Sequence, residues 1–272
     1  MLLTKALQEI IPDPLHPLVP ERFEVIGDIA IISIPDELFP YQQAIASSLI
    51  EQRHTITTVL KRVSKRSGAC RVAEFEPIIG TKTRTIYREF GFKYQVDLSK
   101  AFFTSRLVGE RRRIASIIRP GEVVLVPFAG VGPFAIPVAA RGAQVIAVEI
   151  NPEACLLLRE NAIMNRVEDR VAVICSDAAM AGRMLRIRAD RAVLPTPYGY
   201  EEAFRPLAEM VKAGGVIHYY TFDNQKGAQE RARNFRDSGF LVERLHRCGN
   251  VAPSVSRWVF DLISEKEPGS GN

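Results

Sequence analysis

EVVLVPFAGVGPFAIPVAARGAQVIAVEINP, residues 122–152, decides how the rest of the chain is read. The apolar run 123–126 is short enough to be a buried strand. A small-residue turn follows, Phe128-Ala129-Gly130-Val131-Gly132, and then Pro133, a residue suited to the first turn of a helix. The helical pattern continues through Ile136 and Ala140 to Arg141-Gly142, and a second apolar run, 144–148, ends on Glu149. Strand, glycine turn, helix, strand, acid is one half of a nucleotide-binding α/β unit.

Glycines at the end of the first strand let backbone approach a ligand closely, and an acid at the end of the second can accept hydrogen bonds from both hydroxyls of a ribose. The turn reads G-x-G and lacks the third glycine of a pyrophosphate fingerprint. A ligand with an adenosine and no pyrophosphate fits that pattern, and S-adenosylmethionine (SAM, AdoMet) is such a ligand. G-x-G alone is a weak signal, equally at home in an ordinary tight turn beside a surface acid; Glu149 after a strand is what strengthens it.

Downstream the α/β rhythm continues. Residues 151–165 read as a helix opened by Asn151-Pro152, and 170–175 as a third strand followed by Ser176-Asp177, an acid placed to reach an adenine amino group. A fourth strand at 191–194 leads into Pro195-Thr196-Pro197-Tyr198-Gly199, then a helix over 200–212, a fifth strand at 214–222, a helix over 225–238 and a final strand pair, 240–247 with 257–263. The expected fold is α/β: a doubly wound, mostly parallel seven-stranded sheet over residues 99–264. A helix over 105–118, carrying the run Glu110-Arg111-Arg112-Arg113, comes just before the first strand of that sheet.

Upstream, residues 21–98 have a different texture. FEVIGDIAIISI alternates about Gly27-Asp28 and predicts a β-hairpin; 41–51 is helical; 55–62, 71–75, 83–90 and 93–96 are strand-like. This is a small α+β module rich in basic residues, either a solvated face or a phosphate-binding surface. Residues 1–20, with four prolines and a brief helix over 4–10, read as a lead, and the tail 265–272 is expected to be disordered.

Composition narrows the function classes. A net charge of +5 leans toward a polyanionic partner. No apolar run approaches the roughly 20 residues of a membrane span, and the proline-broken start does not read as a secretory signal. The four cysteines are scattered with no CxxC pair, so neither a metal site nor a disulfide framework is expected; buried thiols in a reducing cytosol, and a cytoplasmic protein, fit better.

Five segments carry a resemblance as a set: FAGVGPF (128–134), VEINPEA (148–154), NRVEDRV (165–171), GGVIHYYTF (214–222) and APSVSRWVFDL (252–262), together with the linker REFGFKYQVDLSKAFFTSRLVGERRRIA (88–115). Over roughly residues 21–264 the chain resembles the archaeal tRNA guanine-37 N1-methyltransferases and their paralogue, the wyosine-base aminocarboxypropyltransferase. The resemblance implies SAM as group donor, a tRNA anticodon loop as partner, modification at position 37 beside the anticodon, no metal, and a monomer. By position it implies that Glu149 and Ile150 hold ribose and adenosine, that Asp177 and Ala178 hold adenine, and that Phe128, Gly130 and Gly132 line the cofactor. It places Ser105, Arg111 and Arg112 with the cofactor, Arg111 toward its methionine end. Glu110 falls where the methyltransferases have a general base, Arg71 where an arginine reads the target guanine, and Arg106 with them.

Three departures divide the two branches. The first strand ends Val126-Pro127 where the family has Asp-Met, so an expected polar contact to SAM is missing. Pro195-Thr196-Pro197 stands where the methyltransferases have Asn-Leu-Pro, so no amide grips a guanine. Twenty residues before the module leave no room for the methyltransferases' extra tRNA-binding domain. VPERFEVIGD (19–28) is similar to the opening of the aminocarboxypropyl branch, whereas FAGVGPF and Ser105-Arg106-Leu107 are closer to the methyl branch. The expectation is transfer of the 3-amino-3-carboxypropyl group to a wyosine precursor in tRNA-Phe. The alternatives are guanine-37 N1 methylation and a non-catalytic tRNA-binding paralogue whose SAM site has decayed. N1 methylation needs a base such as Glu110 to take a proton; in the transfer reaction Glu110 is free to be structural, paired within Arg111-Arg112-Arg113. That arginine cluster and the small module are both expected to bind tRNA phosphates.

Overall fold

The computed structural model describes residues 3–63 and 72–265, and the chain divides into two units, Met1–Ser105 and Arg106–Asn272. In the first, strands β1 (Glu24–Ile26) and β2 (Ile29–Ile32) pair antiparallel about Gly27-Asp28. β2 then runs parallel to β3 (Thr58–Arg62), which needs a crossover, and part of it is a helix over Gln42–Gln52. β4 (Phe75–Ile79) closes the sheet in the order β1-β2-β3-β4, and β5 (Arg84–Glu89) with β6 (Phe92–Asp97) form a separate hairpin. The Asp28 carboxylate accepts hydrogen bonds from Thr57 and Thr85, at 2.6 and 2.5 Å, and from Lys82 at 2.9 Å, so the hairpin turn is tied to β5.

Residues 3–19 do more than lead into this unit. Leu3, Leu7, Ile11 and Val19 are buried in one cluster with Ile32, Ile45, Leu49 and Val59. The first three lie four residues apart, on one side of a helical turn, and that spacing outweighs the prolines around them. Arg71, Lys65 and Arg66 lie outside the described residues.

The second unit is built on a sheet of seven strands: β7 (Val123–Pro127), β8 (Gln144–Glu149), β9 (Val171–Cys175), β10 (Ala189–Leu194), β11 (Val211–Asp223), β12 (Phe240–Ala252) and β13 (Val255–Ser264). The order is β12-β13-β11-β10-β7-β8-β9, with β13 antiparallel to both β11 and β12 and the rest parallel. Val124, Leu125 and Val126 are fully buried, as a central strand covered on both faces requires. Helices fill the connections: α1 (Val108–Ile117) before β7, α2 (Ala135–Ala140), α3 (Pro152–Met164), α4 (Ala178–Met184), α5 (Phe204–Ala208) and α6 (Gln225–Asp237). The helix expected over 200–212 ends at Ala208. Val211 instead starts β11, pairing with Ala189 with its side chain fully buried, so sheet pairing overrides a helical pattern.

The chain steps outward from β7 through β8 to β9 and then returns to the other side of β7 as β10. The crevice between the C-terminal ends of β7 and β10 is therefore the topological switch point, where open α/β sheets bind ligands. Among the described residues, no helix is long and apolar enough to cross a membrane and no cluster of His, Cys, Asp and Glu could hold a metal ion.

Candidate active site

At the end of β7 the backbone turns through three left-handed residues, Phe128 (φ 54°), Gly130 (φ 54°) and Gly132 (φ 95°). Phe128 is not a glycine, so that conformation stores strain of the kind found at functional turns. The positive φ of Gly132 strains any side chain there, and a Cβ would also have to displace Leu158 Cδ1, at 2.3 Å. The loop is pinned from behind by the buried Asn161, whose Nδ2 donates to Val131 O at 3.0 Å.

Glu149 closes the loop from β8. Its Oε2 accepts from Gly130 N at 2.8 Å and its Oε1 from Asn151 N at 3.0 Å. Burial pushes its carboxyl above the usual range, and the backbone N–H groups of Asn151, Gly130 and Ile150 work against that rise. Asn151 caps α3, accepting from Glu153 N. One strand further out, Asp177 caps α4, its Oδ1 accepting from Met180 N at 2.9 Å; Ala178 behind it is buried. Phe128, Gly130, Gly132, Glu149, Ile150, Asp177 and Ala178 thus all stand at the C-terminal ends of β7, β8 and β9.

The arginine run behaves differently from a phosphate-binding cluster. Arg111 is 2% exposed and Arg113 is drawn into a buried network, so only Arg112 is exposed. The helix face decides this: Glu110, Arg111 and Ile114 share the buried side of α1. Arg106 is exposed on a one-turn 3-10 helix that begins at Ser105, and Ser105 is the last residue of the first unit.

Glu110 sits inside a chain of charged groups. Its Oε2 accepts from Arg113 Nε at 2.9 Å and from the Tyr220 hydroxyl at 2.9 Å, and its Oε1 from His246 Nε2 at 2.9 Å. Arg113 also donates to both Asp261 oxygens, at 2.7 and 3.2 Å. Asp261 meets His218 Nδ1 at 2.6 Å, and His218 Nε2 meets Arg191 Nη1 at 2.8 Å. Arg191 donates in turn to both oxygens of Glu122, each at 3.0 Å. Arginine has no acceptor, so His218 takes Arg191's hydrogen at Nε2 and carries its own proton on Nδ1. Burial holds that imidazole below its usual pKa, which keeps it neutral. Burial also penalises the charges on Glu110 and Asp261, but their donors outweigh it and hold both carboxyls at about 2.

This has a consequence for acid stability. Carboxyls titrating lower in the folded chain than in the unfolded one add stability above their unfolded pKa, and that stability is lost as pH falls toward their folded pKa. Urea midpoints should therefore drop between about pH 5 and about pH 3, and drop less steeply in Asp261→Asn. Equal slopes for the two proteins would show that Asp261 titrates normally.

Tyr220, His218, His246, Asp261 and Arg191 carry no expectation from the sequence. One signal for them was present: Asp261 is a lone acid inside the apolar strand WVFDLI, and a buried acid demands a partner.

Residues 85–239 match the model described as the TRM5/TYW2 methyltransferase domain. The chain belongs to the TRM5/TYW2 family. Residues 3–83 match the TYW2 N-terminal domain. The tRNA (guanine(37)-N(1))-methyltransferase Trm5b of Pyrococcus abyssi is 37% identical over 213 residues, covering 78% of this chain. The chain spans only 63% of that relative's length. The tRNA(Phe) (4-demethylwyosine(37)-C(7)) aminocarboxypropyltransferase of Pyrococcus horikoshii is 32% identical over 265 residues, 94% of each chain. The crystal structure of P. horikoshii TYW2 in complex with MeSAdo superposes with a TM-score of 0.79 at 28% identity, covering 97% of this chain and 98% of that one. The seven-stranded, mostly parallel sheet is thus the fold of TRM5/TYW2 enzymes, as the sequence pattern predicts.

Proposed function

We propose that this chain transfers the 3-amino-3-carboxypropyl group of SAM to the base at position 37 of a tRNA, a wyosine precursor in tRNA-Phe. The observation that carries this reading is the end-to-end correspondence with the aminocarboxypropyltransferase, 94% of each chain, including a TYW2-type N-terminal domain over residues 3–83.

The residues at the switch point suit an adenosine ligand. Glu149 is a largely desolvated carboxylate already oriented by the backbone N–H groups of Gly130, Asn151 and Ile150, and a ribose hydroxyl would supply a further donor. Asp177 Oδ1 is used by its helix cap, so Oδ2 is the oxygen for an adenine amino group. Phe128, Gly130 and Gly132 would line the adenosine, with Ile150 and Ala178 against it, and Arg111 would lie toward the methionine end. Bound SAM supplies a sulfonium whose neighbouring carbons are open to displacement.

Glu110 favours the transfer reaction over N1 methylation. Burial works to raise its carboxyl, but His246, Arg113 and Tyr220 hold it at about 2, so it is a weak base at neutral pH. We assign it a positioning role: it locks α1 to β11 and β12. Carbon–carbon bond formation needs a proton removed only after the bond is made, so orientation rather than basicity carries the rate. Pro195, with no side-chain amide, leaves a guanine ungripped in the same way. Arg71 and Arg106 remain with the tRNA side. The module over residues 21–98 contacts the anticodon loop, residues 99–264 perform the transfer, and the enzyme works as a cytoplasmic monomer. The second reading, N1 methylation, draws on the 37% identity to Trm5b.

SAM labelled in both its aminocarboxypropyl chain and its methyl carbon tests the choice of substrate. Label should enter tRNA-Phe carrying the tricyclic precursor and not the same tRNA with an unmodified guanosine at position 37. Labelling of the unmodified tRNA would overturn the proposal in favour of the methyltransferase.

A further inference from the structure

The segment Pro195-Thr196-Pro197-Tyr198-Gly199-Tyr200 leaves β10 directly at the switch point. Gly199, at φ 81°, turns the backbone between two tyrosines and gives their rings different neighbours. Tyr200 meets Phe128 of the glycine loop edge-on, with ring centroids 6.3 Å apart and planes at 70°. Tyr198 meets Phe222 near the end of β11, at 5.8 Å and 69°. Arg257, the register partner of Phe222 on β13, lays its guanidinium over the same Phe222 ring at 4.9 Å. Trp258 Nε1 donates to Asp223 O at 3.1 Å and fixes that end of β11.

The two tyrosines therefore divide between two sides of one loop. Tyr200 is half-buried and braces the loop assigned to the cofactor. Tyr198 is 66% exposed, a large ring held in water on a fixed aromatic and cationic support. A ring two-thirds exposed at the end of β10 gains little burial energy for its size in the free protein. Its value lies in what it covers when a partner arrives. Single-stranded RNA is held in just this way, by aromatic faces and arginine planes under unstacked bases, with the positive charge matching the phosphates.

We propose that Tyr198, supported by Phe222 and Arg257, is a stacking platform for one unpaired nucleobase of the RNA loop that carries the acceptor. The proposal rests on the reading of the chain as an RNA-modifying enzyme and adds where the RNA is gripped. It separates roles within one loop: Tyr200 serves the cofactor side and Tyr198 the RNA side.

The test uses the full chain and a short anticodon-loop RNA carrying 2-aminopurine, whose fluorescence falls when it stacks. The wild-type chain should quench it. Tyr198→Ala should lose the quench and bind about tenfold more weakly, since one base–aromatic stack is worth that much or more. Tyr198→Phe keeps the ring and should retain both, and SAM affinity should be equal in all three proteins. Wild-type quench and affinity in Tyr198→Ala would overturn the platform, and so would the absence of any quench by the wild-type chain. Failure of Tyr198→Phe to match wild type would assign the effect to the hydroxyl instead, and a loss of SAM affinity in Tyr198→Ala would move the ring to the cofactor site. If the platform behaves as expected but no tRNA accepts a group from SAM, the enzymatic reading fails and the platform stands.

Discussion

Arg113→Met is expected to cost about 3–5 kcal/mol of folding stability. The arginine is the only described cation that touches both Glu110 and Asp261, and both carboxylates are nearly buried. Removing it leaves two buried negative charges facing each other across a gap filled by an apolar side chain, the most expensive way to break an ion network. Urea unfolding at neutral pH reads the loss directly. Adding Asp261→Asn should recover part of it, because one of the orphaned charges is then gone; the two changes touch and so should not add. A loss below about 1 kcal/mol would mean that Arg113 behaves like a solvent-screened surface pair.

Glu149→Ala is expected to weaken SAM binding roughly tenfold to a hundredfold while the chain stays folded, since hydrogen bonds to a charged acceptor are among the strong ones. Glu149→Gln separates binding from folding. Burial raises the Glu149 carboxyl above its usual range, so its charged form is disfavoured in the folded chain. By linkage, that charge reduces stability at neutral pH. The glutamine variant is relieved of that charge but turns an NH2 toward the Gly130 or the Asn151 N–H, so it should stay within about 1 kcal/mol of wild type and still bind SAM poorly. Calorimetric SAM affinity unchanged in both variants would remove Glu149 from the site. A glutamine variant much less stable than wild type would instead make the carboxylate a structural anchor for Gly130 and Asn151.

Much of the second unit was legible because its signals are local. The run 123–126, the G-x-G turn and Glu149 lie within one short stretch, and the structure joins them through the Gly130–Glu149 hydrogen bond. Asn151-Pro152 announced a helix start, and Asn151 caps that helix. What escaped was non-local. Glu110 and His246 are 136 residues apart, Arg113 and Asp261 148 apart, and no spacing rule connects them. The arginine run misled for the same reason: a charged stripe reads as solvated until a facing strand supplies Asp261 and Tyr220 to pair with it. Residues 3–19 misled in the opposite sense: the prolines after Ile11 read as a lead, whereas Leu3, Leu7, Ile11 and Val19 pack into the core. Tyr198 and Tyr200 stand two apart in the sequence, and only the positive φ at Gly199 shows that they serve different neighbours.

The nature of the transferred group is the central claim, and the nucleoside released from SAM reports it most directly. Transfer of the aminocarboxypropyl arm leaves the methyl on sulfur, so chromatography of a reaction with tricyclic-base tRNA-Phe should show methylthioadenosine accumulating in step with modified tRNA. Adenosylhomocysteine in its place, with a single methyl gained by tRNA, would contradict the account and make this chain a methyltransferase.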